Sequence, residues 1–180
     1  MPNLPVPVLA TEVPGNFLTA ALWLANVVNA LTFALNPPDF MGHQTATQSI
    51  ANTTWTALTV DAETVDTYGG HSTTTNTSRY VGQVAGYYQV SGVSAWAASS
   101  TGGRGAAIAL NGTRMIGHAA FAMAAAAATP SAIATPTREV FLNGTTDYVE
   151  VQGYQASGGA LATTAGVDVT SSLYVRWSHA

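Results

Sequence analysis

The sequence predicts an all-β fold, a β-sandwich or barrel that follows an extended N-terminal arm and one apolar helix. Only 8% of the 180 residues are charged, and Thr, Ser, Asn and Ala take the place of charged residues. Thr, Val and Tyr favour pleated, half-buried strands, and the many Gly and Asn residues supply turns. From Gln44 onward apolar residues recur with a period of two, as in a strand with one buried face. A chain of this length accommodates one domain with a core and an appendage.

The N-terminal region differs from the rest, so we divide the chain into an arm and helix (residues 1–40) and a β-domain (residues 41–180). Residues 1–15 alternate Pro with apolar residues, which predicts an extended arm that cannot enter the centre of a sheet. Residues 16–35 are uncharged and predict one helix, with Asn16 as a candidate N-cap. The two prolines at positions 37 and 38 stop this helix.

The apolar residues of the predicted helix recur at spacings of three and four, as in the seam of a coiled coil or helical bundle. The predicted anchor and oligomerisation seam consists of Phe17, Ala20, Leu24, Val27, Leu31 and Ala34. The 20 uncharged residues also have the length of a membrane span. Two central Asn residues and the lack of flanking Lys or Arg argue against a membrane span.

Seven segments of the β-domain have strand periodicity and are bounded by turn signals, which indicates a sandwich or a barrel. The predicted strands are Thr54 to Asp61, Gly86 to Ala97, Arg104 to Leu110, Met115 to Ala124, Arg138 to Leu142, Tyr148 to Ala156 and Ser171 to Trp177. Asn111-Gly112 predicts a two-residue type I′ hairpin, and Asn143-Gly144 opens the turn before Tyr148. Residues 129–137 contain two prolines and are predicted to form a long loop.

The composition argues against several functional classes. All five cations are Arg and stand singly, so no basic patch exists and we expect no nucleic-acid binding. The absence of Cys removes disulfides, thiol chemistry and Cys-ligated metals. No nucleophile motif or paired-carboxylate arrangement is present, and the four His residues are scattered. We therefore expect no enzymatic activity and no cofactor.

One segment is dense in potential metal ligands, namely Asp61, Glu63, Asp66 and His71. Carboxylates at this spacing could hold Ca²⁺, but the spacing is not that of an EF-hand and Gly is not where that loop requires it. A solvated or interface loop is the default interpretation, in which His71 caps the loop or pairs with Asp66. We therefore predict no metal and keep these four residues as the candidates.

Four segments of the β-domain carry a family resemblance: GYYQVSGVSAW at 86–96, GGRGAAIALNG at 102–112, VFLNGTTDYVEVQGYQASG at 140–158 and SSLYVRW at 171–177. In this order they resemble the C1q/TNF-like jelly roll, a β-sandwich, over residues 44–180. The chain departs from the family pattern at residues 145–147, where Thr-Thr-Asp replaces the tighter Gly-Asp of many members. It also lacks a collagen-like stalk, whose place the apolar helix would take. The resemblance implies a homotrimer.

A second resemblance concerns the N-terminal region. LWLANVVNALTFALNPP at 22–38, together with DAETVDTYGGH at 61–71, is similar to virion or tail-associated proteins of actinobacterial phages. This resemblance implies a capsid decoration or minor tail protein, anchored by its N-terminal segment to major capsid or tail proteins. The alternative is a receptor-binding module whose loop end recognises host-surface glycan. A third possibility is a bacterial sandwich tethered to a membrane by the helix.

Both faces of several predicted strands are apolar or small, notably in residues 116–128, and a single sandwich cannot bury both. This pattern favours close packing of copies around an axis. The predicted trimer interface consists of Ala119, Phe121, Met123, Tyr88, Tyr154 and Trp177.

Overall fold

The structure is a computed structural model, and it describes residues 4–8, 15, 17, 19–123 and 129–180. The helix consists of α1 (Ala20–Trp23), a π-helical segment (Leu24–Asn29) and α2 (Ala30–Leu35). The hydroxyl of Thr19 accepts a hydrogen bond from the Leu22 N–H at 3.2 Å, so Thr19 is the N-cap and the helix begins later than predicted. The predicted N-cap, Asn16, lies outside the described residues. The helix ends before the two prolines, as predicted.

Thirteen strands follow in the residues that the structure describes. They are β1 (Asp39–His43), β2 (Ser49–Ile50), β3 (Thr56–Ala57), β4 (Ala62–Asp66), β5 (Tyr80–Val81), β6 (Ala85–Trp96), β7 (Gly103–Leu110), β8 (Thr113–Met123), β9 (Ser131–Ala134), β10 (Arg138–Asn143), β11 (Tyr148–Gln155), β12 (Leu161–Ala162) and β13 (Ser172–His179). Sheet I has the order β10-β6-β13-β1-β4, with β9 paired to the end of β6. Sheet II has the order β3-β11-β7-β8, with β5 paired to β11, and β2 pairs with β12. All pairs in the two sheets are antiparallel, which confirms the predicted jelly-roll sandwich.

The two predicted turns form as their residues require. Asn111 and Gly112 have φ values of 51° and 79°, the left-handed geometry of a type I′ hairpin, and they join β7 to β8. In the second turn the side-chain carbonyl of Asn143 accepts hydrogen bonds from three consecutive N–H groups, those of residues 145–147, at 2.9–3.0 Å. The first turn therefore sets the register of β7 with β8, whereas the second leads from β10 of sheet I to β11 of sheet II.

The core lies between the two sheets. Alternate residues of β6, including Tyr88 and Val90, are fully buried against Ile108 and Val151 of sheet II. Each such side chain contributes about 1.5–3 kcal/mol relative to remaining exposed. A Cβ at Gly92 would lie 2.8 Å from the Cβ of Val151, so the two sheets approach each other closely at a position where β6 has no side chain.

The sequence missed several strands. β1 begins at Asp39, and β4 occupies residues 62–66, which were predicted to be loop. The predicted long loop at 129–137 contains β9, which pairs with Val93–Trp96 because β6 extends beyond β10. The predicted strand Thr54 to Asp61 is reduced to the two residues of β3.

Candidate interaction surfaces

The arm and helix are attached to the sandwich by a small apolar cluster of their own. Phe33 packs with Tyr68 and Val84, and the ring of Phe33 meets that of Trp177 edge-on at 4.8 Å. Leu4 and Val6 of the arm also join this cluster. The arm continues along the helix, where residues 4–8 form a shallow groove with Ala25 and Asn29. Residues 4–8 and the helix are thereby packed against the sheets.

The opposite side of the helix is exposed. Phe33 is its one buried residue, whereas Leu24 and Leu31 of the predicted seam are about half exposed. We call the exposed apolar side chains of the helix the helix surface; they are Trp23, Leu24, Val28, Leu31 and Leu35. The π-helical segment moves successive residues out of the three-four spacing of a regular seam. The predicted seam of Phe17, Ala20, Leu24, Val27, Leu31 and Ala34 stays a prediction.

Among the described residues, we find no helix with the length and apolar character needed to cross a bilayer.

Aromatic rings cover part of the outer face of sheet II. Phe121 and Trp55 lie over Gly105, whose missing side chain makes room for both rings. The centroid of Trp55 lies 5.4 Å from that of Phe121 and 5.2 Å from that of Tyr154. The guanidinium of Arg114 lies over Trp55 at 4.9 Å. Tyr154, a predicted interface residue, therefore belongs to a half-buried aromatic cluster.

The strand β8 forms an exposed edge of sheet II, since no second neighbour of β8 is found among the described strands. Phe121 is 64% exposed and Met123 is 80% exposed, and Ile116 is fully exposed. We call these three residues the edge surface. Ala119, also predicted in the interface, is exposed on the same strand. A long apolar edge is a template for pairing with another chain unless a partner covers it.

Two predicted interface residues, Tyr88 and Trp177, pack against other parts of the same chain. Tyr88 is fully buried in the core and its hydroxyl donates a 2.6 Å hydrogen bond to the Val84 carbonyl, so it cannot contact a second copy and its prediction was wrong. The ring of Trp177 packs against the docked Phe33, and its indole N–H donates to the Ala85 carbonyl at 3.4 Å. The period-two pattern predicted which residues share one face of a strand. It did not predict whether that face of β6 or of β13 is turned toward the core.

The outer face of sheet I carries a second apolar area that sequence reasoning missed. Tyr87 of β6 is exposed and meets Phe141 of β10 with ring centroids 5.4 Å apart. His179 lies against the other side of Tyr87 at 4.8 Å. Met41 of β1 is exposed on the same face and is separated from Tyr87 by the strand β13. We call Met41, Tyr87 and Phe141 the face surface. The alternation of exposed aromatics with buried residues in β6 and β10 was the available signal.

The four metal candidates are engaged in holding loops. Asp66 accepts hydrogen bonds from four backbone N–H groups, those of residues 68–71, at 2.8–3.3 Å. Asp61 accepts from the backbone N–H groups of residues 45 and 46. Glu63 pairs with Nδ1 of His71 at 2.8 Å, and Nε2 of that ring faces the Thr77 carbonyl at 3.1 Å. In the described part of the chain no three His, Asp or Glu side chains converge as metal ligands.

Two polar side chains are buried near β8 and its neighbour β7. His118 is the one buried residue of β8, and its Nδ1 has no hydrogen-bond partner among the described residues. Burial lowers the pKa of His118, and the positive charge of Arg138 lowers this pKa further. Arg104 of β7 donates from Nη1 to the Thr101 and Gly103 carbonyls, but its Nε and Nη2 lack acceptors within the described residues. Such groups reduce stability.

A cleft of about 480 Å³ opens at one end of the sandwich, between the loop that precedes β5 and the turn that precedes β11. Its lining includes Ser72, Thr75, Asn76, Arg79, Gln83 and Tyr148. The guanidinium of Arg79 lies over the ring of Tyr148 at 4.2 Å. Sequence reasoning did not find this cleft, because its walls come from segments about seventy residues apart that only the jelly-roll topology brings together.

Comparison with solved structures identifies proteins of the same fold. The chain is similar to the TNF protein Eiger from S. frugiperda, with a TM-score of 0.52 and 10% identity over 79% of this chain and 92% of that chain. It is similar to murine APRIL, with a TM-score of 0.57 and 11% identity over 77% of this chain and 98% of that one. The chain therefore has a TNF-like jelly-roll fold.

The vertex protein P5 of PRD1 aligns at a TM-score of 0.49 with 13% identity, over 78% of this chain and 96% of that chain, which is too low to support an inference. No family model matches the sequence, and no curated protein matches it.

Proposed function

We propose that this chain is a non-enzymatic structural protein of a virus particle, where it forms a homotrimer and is anchored to capsid or tail proteins by residues 1–40. The observation that carries the proposal is the exposure of three separate apolar areas on one chain, namely the helix, edge and face surfaces. Exposed apolar areas of this kind mark sites of association. The formal net charge of −4 leaves little self-repulsion to oppose such contacts.

The edge and face surfaces differ in residues and belong to different sheets, so a contact between them joins unlike surfaces of two copies. Contacts of this type repeat from copy to copy and close into a ring when the rotation allows it. The resemblance to the C1q/TNF jelly roll implies a ring of three. A standard interface buries about 800 Å² per partner. At about 25 cal/mol per Å² of apolar area, this burial gives a large favourable free energy of association. It exceeds the cost of lost translational, rotational and side-chain freedom only when the interface is well packed.

The anchor is proposed from the helix surface. Because Phe33 and Trp177 fix the helix against the sandwich, Leu24 and Leu31 are presented in a defined direction rather than on a loose tail. The described helix carries no charged residue, so its exposed side suits an apolar groove on a capsid or tail protein.

Sedimentation velocity of the full chain tests the ring. We expect three times the mass of one 18.5 kDa chain. Phe121→Asp in the edge surface and Tyr87→Asp in the face surface each remove one side of the contact, so each variant alone sediments as a monomer. An equimolar mixture of the two retains one intact contact and stops at a dimer. Val167→Asp, at a fully exposed apolar residue outside both surfaces, leaves the trimer intact. Wild-type protein that remains monomeric would overturn the proposal.

Cosedimentation of the purified protein with the virus particles tests whether the helix surface is the anchor. The double variant Leu24→Glu and Leu31→Glu places two charges on the helix surface, so we expect a trimer that no longer pellets with the particles. Val167→Glu is the matched control and should pellet like the wild-type protein. A double variant that pellets normally would show that the helix surface is not the anchor.

A further inference from the structure

We infer that the cleft at the end of the sandwich binds an acidic saccharide through Arg79. This inference goes beyond the proposed assembly and does not depend on it, since every residue of the cleft comes from one chain. It gives the glycan-recognition alternative a definite site and a ligand class.

The walls of the cleft are ordered before any ligand arrives. One wall is the loop at Gly69–His71, whose N–H groups are fixed by the carboxylate of Asp66 at 2.8–3.2 Å. The facing wall includes Thr145 and Thr146, whose N–H groups are fixed by the side-chain carbonyl of Asn143 at 2.9–3.0 Å. Because these hydrogen bonds already order both walls, little conformational entropy is lost when a ligand binds, and this favours binding.

Arg79 is the charged group of the cleft, and it has no anionic partner in the described part of the chain. The ion pairs among the described residues are those of His71 with Glu63 and of His179 with Glu139, and Arg79 takes part in neither. No hydrogen bond of its guanidinium to a described residue is present, and the guanidinium is held in place by stacking on Tyr148 at 4.2 Å. A positioned, unpaired guanidinium presents its planar set of donors to a carboxylate or phosphate.

The remaining lining determines what kind of anion fits. Among the described residues no Asp or Glu lines the cleft, so Arg79 is its one formally charged lining side chain when His is counted as neutral, and the nearby carboxylate of Asp66 is turned to the N–H groups behind the wall. The other side chains around Arg79 are mostly hydroxyl and amide groups, including those of Thr75, Asn76 and Gln83. These groups both donate and accept hydrogen bonds, as the hydroxyls of a sugar require. A volume of about 480 Å³ accommodates a ligand the size of a disaccharide.

Titration calorimetry of the full chain with digalacturonic acid tests the inference. Its dimethyl ester has the same sugar rings without the negative charges, and galactose 6-phosphate offers phosphate in place of carboxylate. We expect the diacid to bind and the ester to bind at least about tenfold more weakly, since a charged hydrogen-bonded pair is lost. Tighter binding of the phosphate sugar than of the diacid would support the inference with phosphate as the preferred anion, whereas equal binding of the diacid and its ester would overturn the inference.

Variants of Arg79 locate the site. Arg79→Gln should weaken binding of the diacid about ten- to a hundredfold. Arg79→Lys should give an intermediate loss, because Lys keeps the charge but not the planar donor set. Arg176→Gln removes the same charge from the exposed outer face of sheet I and should bind as the wild type does. Equal affinity of Arg79→Gln and Arg176→Gln, in variants with unchanged melting temperatures, would overturn the inference, as would no binding of the diacid at about 10 mM.

Discussion

The strands β6 and β8 are the two longest in the described residues, with 12 and 11 residues, and both are rich in small and apolar side chains. Their burial is nevertheless opposite. β6 lies between β10 and β13 in the middle of sheet I, and every second side chain enters the core. β8 lies at the edge of sheet II, and its one buried side chain is His118. The difference shows that position in the sheet, rather than apolar content, decides how much of a strand a single chain can bury.

The largest expected effect is in β6. Trp96 is fully buried, and its indole N–H donates to the Ser94 hydroxyl at 3.0 Å. Trp96→Ala should lower the free energy of unfolding by about 3–5 kcal/mol, because it leaves a cavity in a packed core. Urea denaturation at a fixed protein concentration measures this loss. Trp96→Phe should lose clearly less, and equal losses would mean that the indole does not fill the core.

A methyl group added to β6 should also be costly. In Gly92→Ala the new Cβ would lie 2.8 Å from that of Val151, so the two sheets must move apart locally. We expect a loss of about 1–3 kcal/mol in thermal or urea unfolding. Gly159→Ala is the matched control, since nothing lies within 4 Å of its Cβ position. A neutral Gly92→Ala would show that the sheets are less closely packed at β6 than described.

His118, the one buried side chain of β8, should make the free energy of unfolding depend on pH. Burial and the charge of Arg138 hold the pKa of His118 below its usual value, so the unfolded chain takes up this proton at a higher pH than the folded chain does. The free energy of unfolding should therefore fall as the pH drops from about 7 toward 5, through the ordinary titration range of histidine. Unfolding curves of His118→Gln should lack this part of the pH dependence. If wild type and variant show the same pH profile, His118 is not held neutral by the fold.

The smallest effect should come from the exposed part of β8. At concentrations low enough to separate the copies, Phe121→Ser should change the free energy of unfolding by less than about 1 kcal/mol. Val90→Ser in β6, where the side chain is fully buried, should cost several times more in the same assay. A large loss for Phe121→Ser in the separated chain would show that the ring cluster with Trp55 stabilises the sandwich itself.

The sequence predicted those parts of the fold that depend on one strand at a time. The alternation in β6, β7, β11 and β13 and the hairpin at Asn111-Gly112 located most of the long strands correctly. β1 and β9 were missed because each is short and stands next to a proline, and their hydrogen bonds come from strands distant in sequence. For such strands the tertiary partner, rather than local preference, determines the structure.

The interaction surfaces were predicted only in part, for the same reason. Phe121 and Met123 were predicted in the trimer interface; both are exposed in the single chain, and their place in an interface stays a prediction. Tyr88 was placed on the wrong side, because alternation fixes the period but not the phase relative to the core. The cleft around Arg79 had no sequence signal, since its polar residues are ordinary for loops and become a site only when the two loops meet.

The docking of Phe33 on Trp177 sets a time order for biosynthesis. The helix emerges early from the ribosome, but the surface that receives Phe33 includes a residue of the last strand, and β1 likewise pairs with β13. At about 5–20 residues per second, the roughly 140 residues between the two aromatic partners take on the order of ten seconds to synthesise. Throughout that interval the apolar helix of the nascent chain is exposed, because the residues that bury Phe33 have not all been synthesised. We expect chaperones to bind this helix and to prevent its association with other nascent chains.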